Sequence, residues 1–288
     1  MMRVLLTGGT GFIGRNILPI LRKSAEVDAP RREELDTVSE ESVRSYFAGR
    51  TYDVVIHAAN SNPFRNPGCD SRETMLDASL RGFMNLLRQK GRYGRMLYFG
   101  SGAEYDKRFD IVMAKEEQIG AHIPVDAYGF AKYVMNGLAR ASDNIFNLRV
   151  FGCYGPTDSR TKFIRDAIDC CLENRAVTIR QNCMFDYTYV DDIGRLVCRM
   201  MTMDLRHHDY NLCSGRRISL LETAGIVSRL MGNDRKPEIA SPGWNREYTA
   251  DNGRLLAELG NFDFISMEEG IARQIAWQKG ERNEEACR

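Results

Sequence analysis

The sequence predicts an α/β fold built on a doubly wound parallel sheet, with a smaller C-terminal lobe. Three features predict it: apolar strand-like segments alternate with helix-like segments, a glycine-rich loop joins the first strand to the first helix, and the pattern loosens after Tyr154-Gly155-Pro156. We therefore expect a main domain over residues 1–155 and a lobe over residues 156–288. A segment near residues 183–198 is expected to return from the lobe to the main domain.

The individual elements follow from the spacing of apolar residues. The predicted strands are Val4–Leu6, a short one at Val27, Asp53–Ala58, Arg95–Gly100 and Ile145–Val150. The predicted helices are Phe12 to about Lys23, Ser39–Phe47, Glu73–Gln89, Tyr128–Arg140, Phe163–Leu172 and Leu220–Met231. Because helices separate the strands, the strands should lie parallel, with helices on both faces of the sheet.

Composition excludes several classes of function. With 40 basic and 39 acidic residues the formal net charge is +1, so no bulk charge attracts the chain to nucleic acid or to an acidic membrane. The apolar run at the start is too short for a signal peptide, and no later run reaches the length of a membrane span. We expect a cytoplasmic protein that binds a small molecule.

The cysteines and the paired histidines do not form a metal-binding pattern. The eight cysteines contain no Cys-x-x-Cys pair, so we expect reduced thiols rather than disulfides or a zinc site. His207-His208 are adjacent, with no carboxylate at ligand spacing, and are interpreted as a solvated loop. The cysteines are Cys69, Cys153, Cys170, Cys171, Cys183, Cys198, Cys213 and Cys287.

A glycine loop follows the first strand and opens the first helix. Glycine at these positions allows a tight turn, a close approach of the backbone to a pyrophosphate, and packing of the helix on the strand. The helix N-terminus then offers N–H groups and a partial positive charge to the phosphates. The predicted dinucleotide-binding residues are Gly8, Thr10, Gly11, Phe12, Ile13 and Gly14.

The spacing of this loop, with later motifs, resembles the extended short-chain dehydrogenase/reductase superfamily, in its branch of nucleotide-sugar epimerases, dehydratases and ketoreductases. The resemblance implies a Rossmann-like fold, an NAD(P) cofactor bound beside His57, Ala58 and Ala59, and a nucleotide-sugar substrate. It also implies a homodimer formed through a four-helix contact that includes the Tyr128 helix. The motifs are His57-Ala58-Ala59, Asn85-Leu86-Leu87, Tyr154-Gly155-Pro156, Tyr187 to Asp192, and Tyr210-Asn211-Leu212 with Ser214-Gly215.

The residues after the second strand bear on the choice of cofactor. The family usually places an acid there to bind the adenosine ribose of NAD, whereas an alignment on Val27 places Arg31 at that position, with Arg32 next. A guanidinium pairs well with a 2′-phosphate, so we favour NADP(H) over NAD(H). Asp28 is the alternative, since it would be the ribose-binding acid in another register.

Tyr128 and Lys132 are the central candidates for catalysis. Their i, i+4 spacing places both side chains on one helix face, where the ammonium favours the phenolate form of the tyrosine. By resemblance, Lys132 also holds the nicotinamide ribose, and Ser101, four residues before Tyr105-Asp106, hydrogen-bonds to the substrate oxygen. Ser101 ends a strand, which is where folds of this class bind ligands.

Departures from the family pattern narrow the chemistry. Dehydratases carry Asp and Glu directly after the catalytic residue, whereas this chain has Gly102 and Ala103, both expected to line the substrate site. Elimination of water is therefore not expected, and Glu104, one place further, is a weak substitute. His122 could act as a second acid or base in an epimerase, although a loop role is favoured.

Two positions of the expected substrate site also differ from the family pattern, one at the sugar and one at the phosphate. Gly152 replaces an asparagine that contacts the sugar nucleotide, and Phe185 replaces an arginine that binds phosphate. Arg180, Arg246 or Arg254 could supply the missing cation.

Three functions agree with these residues. The favoured one is an NADP(H)-dependent reductase of a nucleotide-activated keto sugar of the 4-keto-6-deoxy type, with Tyr128 as proton donor. The alternatives are an NAD-dependent nucleotide-sugar 4-epimerase that uses the same site, and a catalytically silent dinucleotide sensor.

Overall fold

Parallel strands and the helices between them form most of this chain in the structure, a computed structural model that describes residues 1–61, 71 and 73–286. The strands are β1 (Arg3–Thr7), β2 (Glu26–Asp28), β3 (Tyr52–His57), β4 (Tyr93–Ser101), β5 (Ile111–Ala114), β6 (Ile145–Val150), β7 (Gly152–Tyr154), β8 (Thr178–Ile179), β9 (Met184–Phe185), β10 (Tyr187–Tyr189), β11 (Asp209–Leu212), β12 (Ile218–Ser219), β13 (Glu238–Ile239) and β14 (Tyr248–Ala250). The helices are α1 (Phe12–Leu21), α2 (Glu40–Phe47), α3 (Met75–Leu87), α4 (Ala127–Arg140), α5 (Phe163–Leu172), α6 (Val190–Met200), α7 (Leu220–Met231), α8 (Gly253–Leu259) and α9 (Met267–Ala286).

The main sheet has six parallel strands in the order β11-β6-β4-β3-β1-β2. From β1 the chain first adds β2 on one side and then crosses to add β3 on the other. The strand order therefore reverses between β1 and β3, and a crevice opens outside their carboxyl ends. The predicted α/β fold with a doubly wound, Rossmann-like sheet is confirmed.

The two faces of the main sheet are buried by different helices. Successive strand residues point to opposite faces, so Leu6 packs toward α1 and α6, whereas Leu5 packs toward α2, α3 and α4. Ile17 of α1 and Val197 of α6 are fully buried in the first of these layers. This double covering explains why the strands are apolar on both faces.

The lobe is assembled from very short strands and three packed helices. A four-stranded sheet in the order β12-β9-β14-β5 includes β5 from the first half of the chain, and α5, α7 and α9 share an apolar core. The other strands of the described residues form two pairs, β7 with β10 and β8 with β13. The division of function at residue 155 stays a proposal.

Two segments of the second half lie against the main domain. Helix α6 packs on α1, and β11 pairs with β6 at the edge of the main sheet. The helix ends differ from the prediction by one or two residues: α1 ends at Leu21 rather than about Lys23, and α3 runs from Met75 to Leu87. Among the described residues, no helix is long and apolar enough to cross a bilayer.

Candidate active site

The glycine loop makes a turn that side chains would prevent. Gly8 has a φ of +74°, and a Cβ there would lie 2.4 Å from the backbone nitrogen of Ala59. A Cβ on Gly14 would lie 2.2 Å from the Gly8 carbonyl oxygen. Gly11 precedes α1 as its cap residue. Because glycine has no side chain, it makes no side-chain hydrogen bond to the N–H groups of the first turn. The loop therefore leaves the start of α1 open to an anionic group.

The segment after β3 packs directly against this loop. His57 is buried, and its Nδ1 lies 2.8 Å from the Thr7 hydroxyl at the end of β1. Burial, with a contribution from nearby Lys132, lowers the pKa of His57 to about 3, so the imidazole is neutral at physiological pH. Ala58 and Ala59 follow it against Gly8, which places both small residues beside the crevice.

The end of β2 and the turn after it hold the residues that bear on the choice of cofactor. The Asp28 carboxylate accepts a hydrogen bond from the Tyr52 hydroxyl at 2.7 Å, on the face of the sheet covered by α2. Arg31 and Arg32 are exposed on the turn that follows, and Arg32 lies 3.8 Å from Asp36. A Cβ on Gly9 would lie 3.2 Å from that of Ala29, so this turn starts beside the glycine loop.

Helix α4 brings Lys132 beneath the end of β4. Asp126 caps the helix by accepting a hydrogen bond from the Gly129 N–H, and Gly129 packs against the Ala103 carbonyl. The Lys132 side chain is 4% exposed, and its Nζ donates to the Phe99 carbonyl at 2.8 Å. Burial lowers the pKa of Lys132 to about 8.

Tyr128 lies one helical turn before Lys132 on the same face of α4. The Lys132 Nζ is 5.9 Å from the centroid of the half-buried Tyr128 ring. This is the distance at which an ammonium interacts favourably with an aromatic ring. The predicted pairing of the two side chains is present in the structure.

Ser101 ends β4 and caps the turn Gly102–Tyr105. Its Oγ accepts a hydrogen bond from the Ala103 N–H at 3.2 Å. The hydroxyl of Tyr248 from β14 lies next to this turn, and burial raises the pKa of that phenol. Asp106, which stands where the family has glycine, has a φ of +66°.

Aromatic side chains close the lobe side of this turn. A Cβ on Gly102 would lie 2.5 Å from the Tyr248 hydroxyl and 2.6 Å from the Phe151 ring, so a larger residue does not fit there. Ala103 is buried beside it. Gly102 and Ala103 therefore belong to the wall beside Ser101, while the sequence provided no motif that predicts the contribution of Phe151 and Tyr248.

Glu104 is a structural carboxylate rather than the acid of an elimination. It is fully buried, where it accepts hydrogen bonds from Arg149 Nε at 2.8 Å and from the Ser101 N–H at 3.0 Å. Arg149 is also fully buried and pairs with Asp209. A carboxylate buried and held by these donors is not available as the acid of an elimination.

The positions that depart from the family pattern have physical reasons. A Cβ on Gly152 would lie 2.4 Å from the Asp186 carbonyl oxygen, so an asparagine does not fit there. Phe185 stacks on Tyr187 with ring centroids 5.3 Å apart, and it also contacts Tyr248. The phosphate-binding arginine of the family is therefore replaced by an aromatic cluster.

The three arginines considered as substitutes lie in different surroundings. Arg254 is bound by carboxylates, since it pairs with Glu116, Glu117 and Asp209, and is not available to a diphosphate. Arg180 and Arg246 are exposed on the lobe. Their role toward a substrate stays a prediction.

The remaining histidines and cysteines lie apart from this constellation. His122 is exposed and stacks on Phe109 at 3.9 Å, while the His208 ring packs on Phe146 and its Nδ1 lies 2.9 Å from the Ile145 carbonyl. Within the described ranges, no three metal-ligating side chains come together. Cys69 and Cys287 lie outside the described residues; the described cysteines, none of which is in a disulfide, are Cys153, Cys170, Cys171, Cys183, Cys198 and Cys213.

The geometry at the crevice fits a nicotinamide dinucleotide. The glycine loop excludes side chains where a pyrophosphate would lie, and the loops after β1 and β3 meet beside it. Lys132, Tyr128 and Ser101 gather at the carboxyl end of β4, the next strand in the sheet. Lys132 thus lies near both His57 and the Tyr128 ring.

Comparisons with known proteins agree with this geometry. A family model described as the NAD dependent epimerase/dehydratase family matches residues 4–213. The ADP-L-glycero-D-manno-heptose-6-epimerase of Pseudomonas paraeruginosa is 23% identical over 330 aligned positions, which cover 96% of this chain and 98% of that protein.

Two solved structures share the fold over nearly the whole chain. UDP-glucose 4-epimerase from Thermotoga maritima, with UDP-glucose, has a TM-score of 0.82 at 21% identity and covers 98% of this chain and 100% of that one. GDP-mannoheptose C4 reductase from Campylobacter jejuni, with NADP bound, has a TM-score of 0.82 at 17% identity and covers 96% and 98%.

Proposed function

Because the chain belongs to the NAD-dependent epimerase/dehydratase family, we propose that this NAD(P)-dependent enzyme is an NADP(H)-dependent reductase of a nucleotide-activated keto sugar. The observation that carries the proposal is the convergence of Ser101, Tyr128 and Lys132 beside the crevice at the strand-order reversal. These are a hydroxyl, a phenol and an ammonium, the groups that a carbonyl reduction needs. The sugar is proposed to be of the 4-keto-6-deoxy type.

The turn after β2 supports the proposed choice of NADP(H). Asp28 is engaged by the Tyr52 hydroxyl, whereas Arg31 and Arg32 are exposed near the glycine loop. Two guanidinium groups favour the 2′-phosphate of NADP(H), since the charges are opposite and Arg binds phosphate with two parallel hydrogen bonds. The similar reductase from Campylobacter jejuni with NADP bound also supports this choice.

The chain's own residues have separate roles in the proposed reaction. When bound, NADPH supplies the hydride for the carbonyl carbon. Tyr128 donates a proton to the carbonyl oxygen, and Lys132 stabilises the phenolate that remains. Ser101 donates a hydrogen bond to the same oxygen as negative charge develops there, so that charge forms in a site already arranged for it.

The residues around the substrate are proposed from their places on the wall. Gly102 and Ala103 form the wall next to Ser101, and the aromatic cluster of Phe151, Phe185, Tyr187 and Tyr248 is proposed to offer flat apolar surface to a sugar. Arg180 and Arg246 are proposed to contact the diphosphate from the lobe. A homodimer and a cytoplasmic location stay predictions.

A 4-epimerase is the second candidate, since UDP-glucose 4-epimerase from Thermotoga maritima shares the fold over 98% of this chain. It would use the same phenol and hydroxyl, with a tightly held NAD that is regenerated in each turnover. The silent sensor is disfavoured because all three reactive side chains are present.

The test is NADPH oxidation by the purified protein with a panel of nucleotide-linked 4-keto-6-deoxy sugars. Turnover with NADPH, and a preference for it over NADH that is lost in Arg31→Ala with Arg32→Ala, would support the reductase. Co-purified NAD and interconversion of two sugar nucleotides without net cofactor consumption would instead establish the epimerase.

A further inference from the structure

Glu104 forms the centre of a buried polar cluster under the candidate active site. Its side chain is fully buried and accepts three kinds of donor: Arg149 Nε at 2.8 Å, Asn147 Nδ2 at 3.0 Å and the Ser101 N–H at 3.0 Å. Asn147 also donates to Asn136 Oδ1 on α4, the helix that carries Lys132. The cluster therefore joins the turn after β4 to the catalytic helix.

Glu104 and Lys132 bind the backbone on the two sides of Gly100. Lys132 Nζ donates to the carbonyl of Phe99, and the N–H of Ser101 donates to Glu104. A Cβ on Gly100 would lie 2.4 Å from Glu104 Oε1, so glycine is needed for the carboxylate to fit. The buried ammonium and the buried carboxylate are thus held at the same short segment of β4.

We propose that Glu104 is a positioning residue, which fixes the backbone of Ser101 and serves as the buried counter-charge of Lys132. The inference rests on the proposed function, because it assigns Glu104 to the support of the proposed proton-transfer group. In the sequence Ser101-Gly102-Ala103-Glu104, Gly102 and Ala103 occupy the two positions where a dehydratase carries its acids. The acidic residue one place later has the positioning role instead. Glu104 acts on the reaction through its neighbours and does not touch the substrate.

The charges around Lys132 explain why a counter-charge is needed. Burial lowers the pKa of Lys132, and the Glu104 carboxylate acts in the opposite direction, so that the value is about 8. His57 from β3 faces the lysine as a neutral imidazole, and the Tyr128 ring from α4 lies 5.9 Å from the Lys132 Nζ. Arg149, the other cation of this cluster, has Asp209 as a second partner.

Removal of the Glu104 charge should therefore deprotonate Lys132 at lower pH. We would titrate the Nζ of lysines in protein labelled with ¹⁵N-lysine, assign the Lys132 signal with Lys132→Arg, and compare the wild type with Glu104→Gln. Lys132 is the buried lysine, while the other lysines are exposed, so its signal stands apart. We expect a midpoint near 8 in the wild type, and a midpoint lower by about one pH unit or more in the variant.

Glu116→Gln is the matched control. Glu116 is also a buried carboxylate; it accepts a hydrogen bond from the Asn211 N–H and lies 3.7 Å from Arg254, on the other side of the Arg149 cluster. This variant should lose stability and keep the Lys132 midpoint. An unchanged Lys132 midpoint in Glu104→Gln, or an equal shift in Glu116→Gln, would overturn the proposal.

Glu104→Asp carries the test if Glu104→Gln does not fold. Its side chain keeps the negative charge but is shorter by one methylene. We therefore expect a smaller fall in the Lys132 midpoint than in Glu104→Gln and a weaker hydrogen bond from the Ser101 N–H. An unchanged midpoint would overturn the proposal. Because the titration needs no substrate, its result does not depend on the proposed reaction. If every keto sugar of the panel failed while the midpoint moved as expected, the proposed reaction would be wrong and the counter-charge would stand.

With an active enzyme, the pH profile gives a second readout. The alkaline limit of kcat in Glu104→Gln should move to lower pH by the same amount as the lysine midpoint. A uniform loss of kcat at every pH, with the limit unmoved, would contradict the role of Glu104 as counter-charge.

Discussion

The hydroxyl of Tyr248 lies next to the side chain of Ser101, although the two residues belong to different sheets. Tyr248 comes from β14 of the lobe, while Ser101 ends β4 of the main sheet. The same hydroxyl packs against Gly102. The lobe therefore contributes directly to the surroundings of the proposed oxygen-binding serine.

Tyr248→Phe should weaken catalysis with little effect on the fold. The substitution removes a polar neighbour of the Ser101 side chain, so we expect kcat/KM to fall by about 10-fold. Tyr105→Phe is the control, because its buried hydroxyl donates to Asn211. Steady-state kinetics of both variants test this, and a wild-type kcat/KM in Tyr248→Phe would show that the Tyr248 hydroxyl has no part in turnover.

Tyr128→Phe should abolish turnover while the cofactor still binds. Without the phenolic proton, reduction is expected to slow by about 10²- to 10⁴-fold, the usual contribution of a positioned acid. Tyr133→Phe, on the same helix, should retain activity. NADPH binding by fluorescence and NADPH oxidation distinguish the two effects, and an active Tyr128→Phe would remove Tyr128 from the mechanism.

Gly14→Ala and Gly137→Ala should have opposite effects, although both glycines lie in helices. A Cβ on Gly14 would lie 2.2 Å from the Gly8 carbonyl, whereas one on Gly137 meets nothing within 4 Å. We expect Gly137→Ala to raise the free energy of unfolding by about 0.5–1 kcal/mol. Gly14→Ala should lower it and impair NADPH binding; urea unfolding and a binding titration measure both quantities.

The buried His57 should make the protein sensitive to acid. Its pKa is lowered from 6.5 to about 3, so between these values the unfolded chain binds a proton that the folded chain does not. The free energy of unfolding therefore falls as pH drops through this range, by about 1.4 kcal/mol per pH unit from this group. Asp186 acts oppositely at acidic pH, since burial raises its pKa to about 6.

A comparison of variants isolates the contribution of His57. His57→Gln should show a shallower loss of stability between pH 6.5 and 3 than the wild type. His122→Gln, which changes an exposed imidazole, should follow the wild-type curve. Urea unfolding across the pH range provides the data, and identical slopes for all three proteins would contradict a neutral buried His57.

Features that depend on residues close together along the chain could be predicted from the sequence. The alternation of strands and helices, the glycine loop and the i, i+4 pair of Tyr128 and Lys132 are all local, and the structure contains each of them. The lobe could not be predicted in the same way. Strands of two residues, such as β9 and β12, are too short to show a period of two.

The contacts that join distant residues were also beyond the sequence. The approach of Tyr248 to Ser101 and the cluster of Glu104 with Arg149 depend on strand order in two sheets, for which a single chain has no local signal. Arg254, considered as a phosphate ligand, instead pairs with three carboxylates that the fold brings together. A sequence gives the sign of each charged side chain but does not give the residue with which it forms an ion pair.

The position of β11 at the edge of the main sheet has a consequence for biosynthesis. Until residues 209–212 leave the ribosome, the β6 edge lacks its partner, so the nascent nucleotide-binding half is incomplete and exposes unpaired backbone groups. A fragment that stops at residue 155 would carry the same open edge. Such a fragment should aggregate rather than accumulate as an independent domain, and the two halves of this gene product would have to be expressed as one.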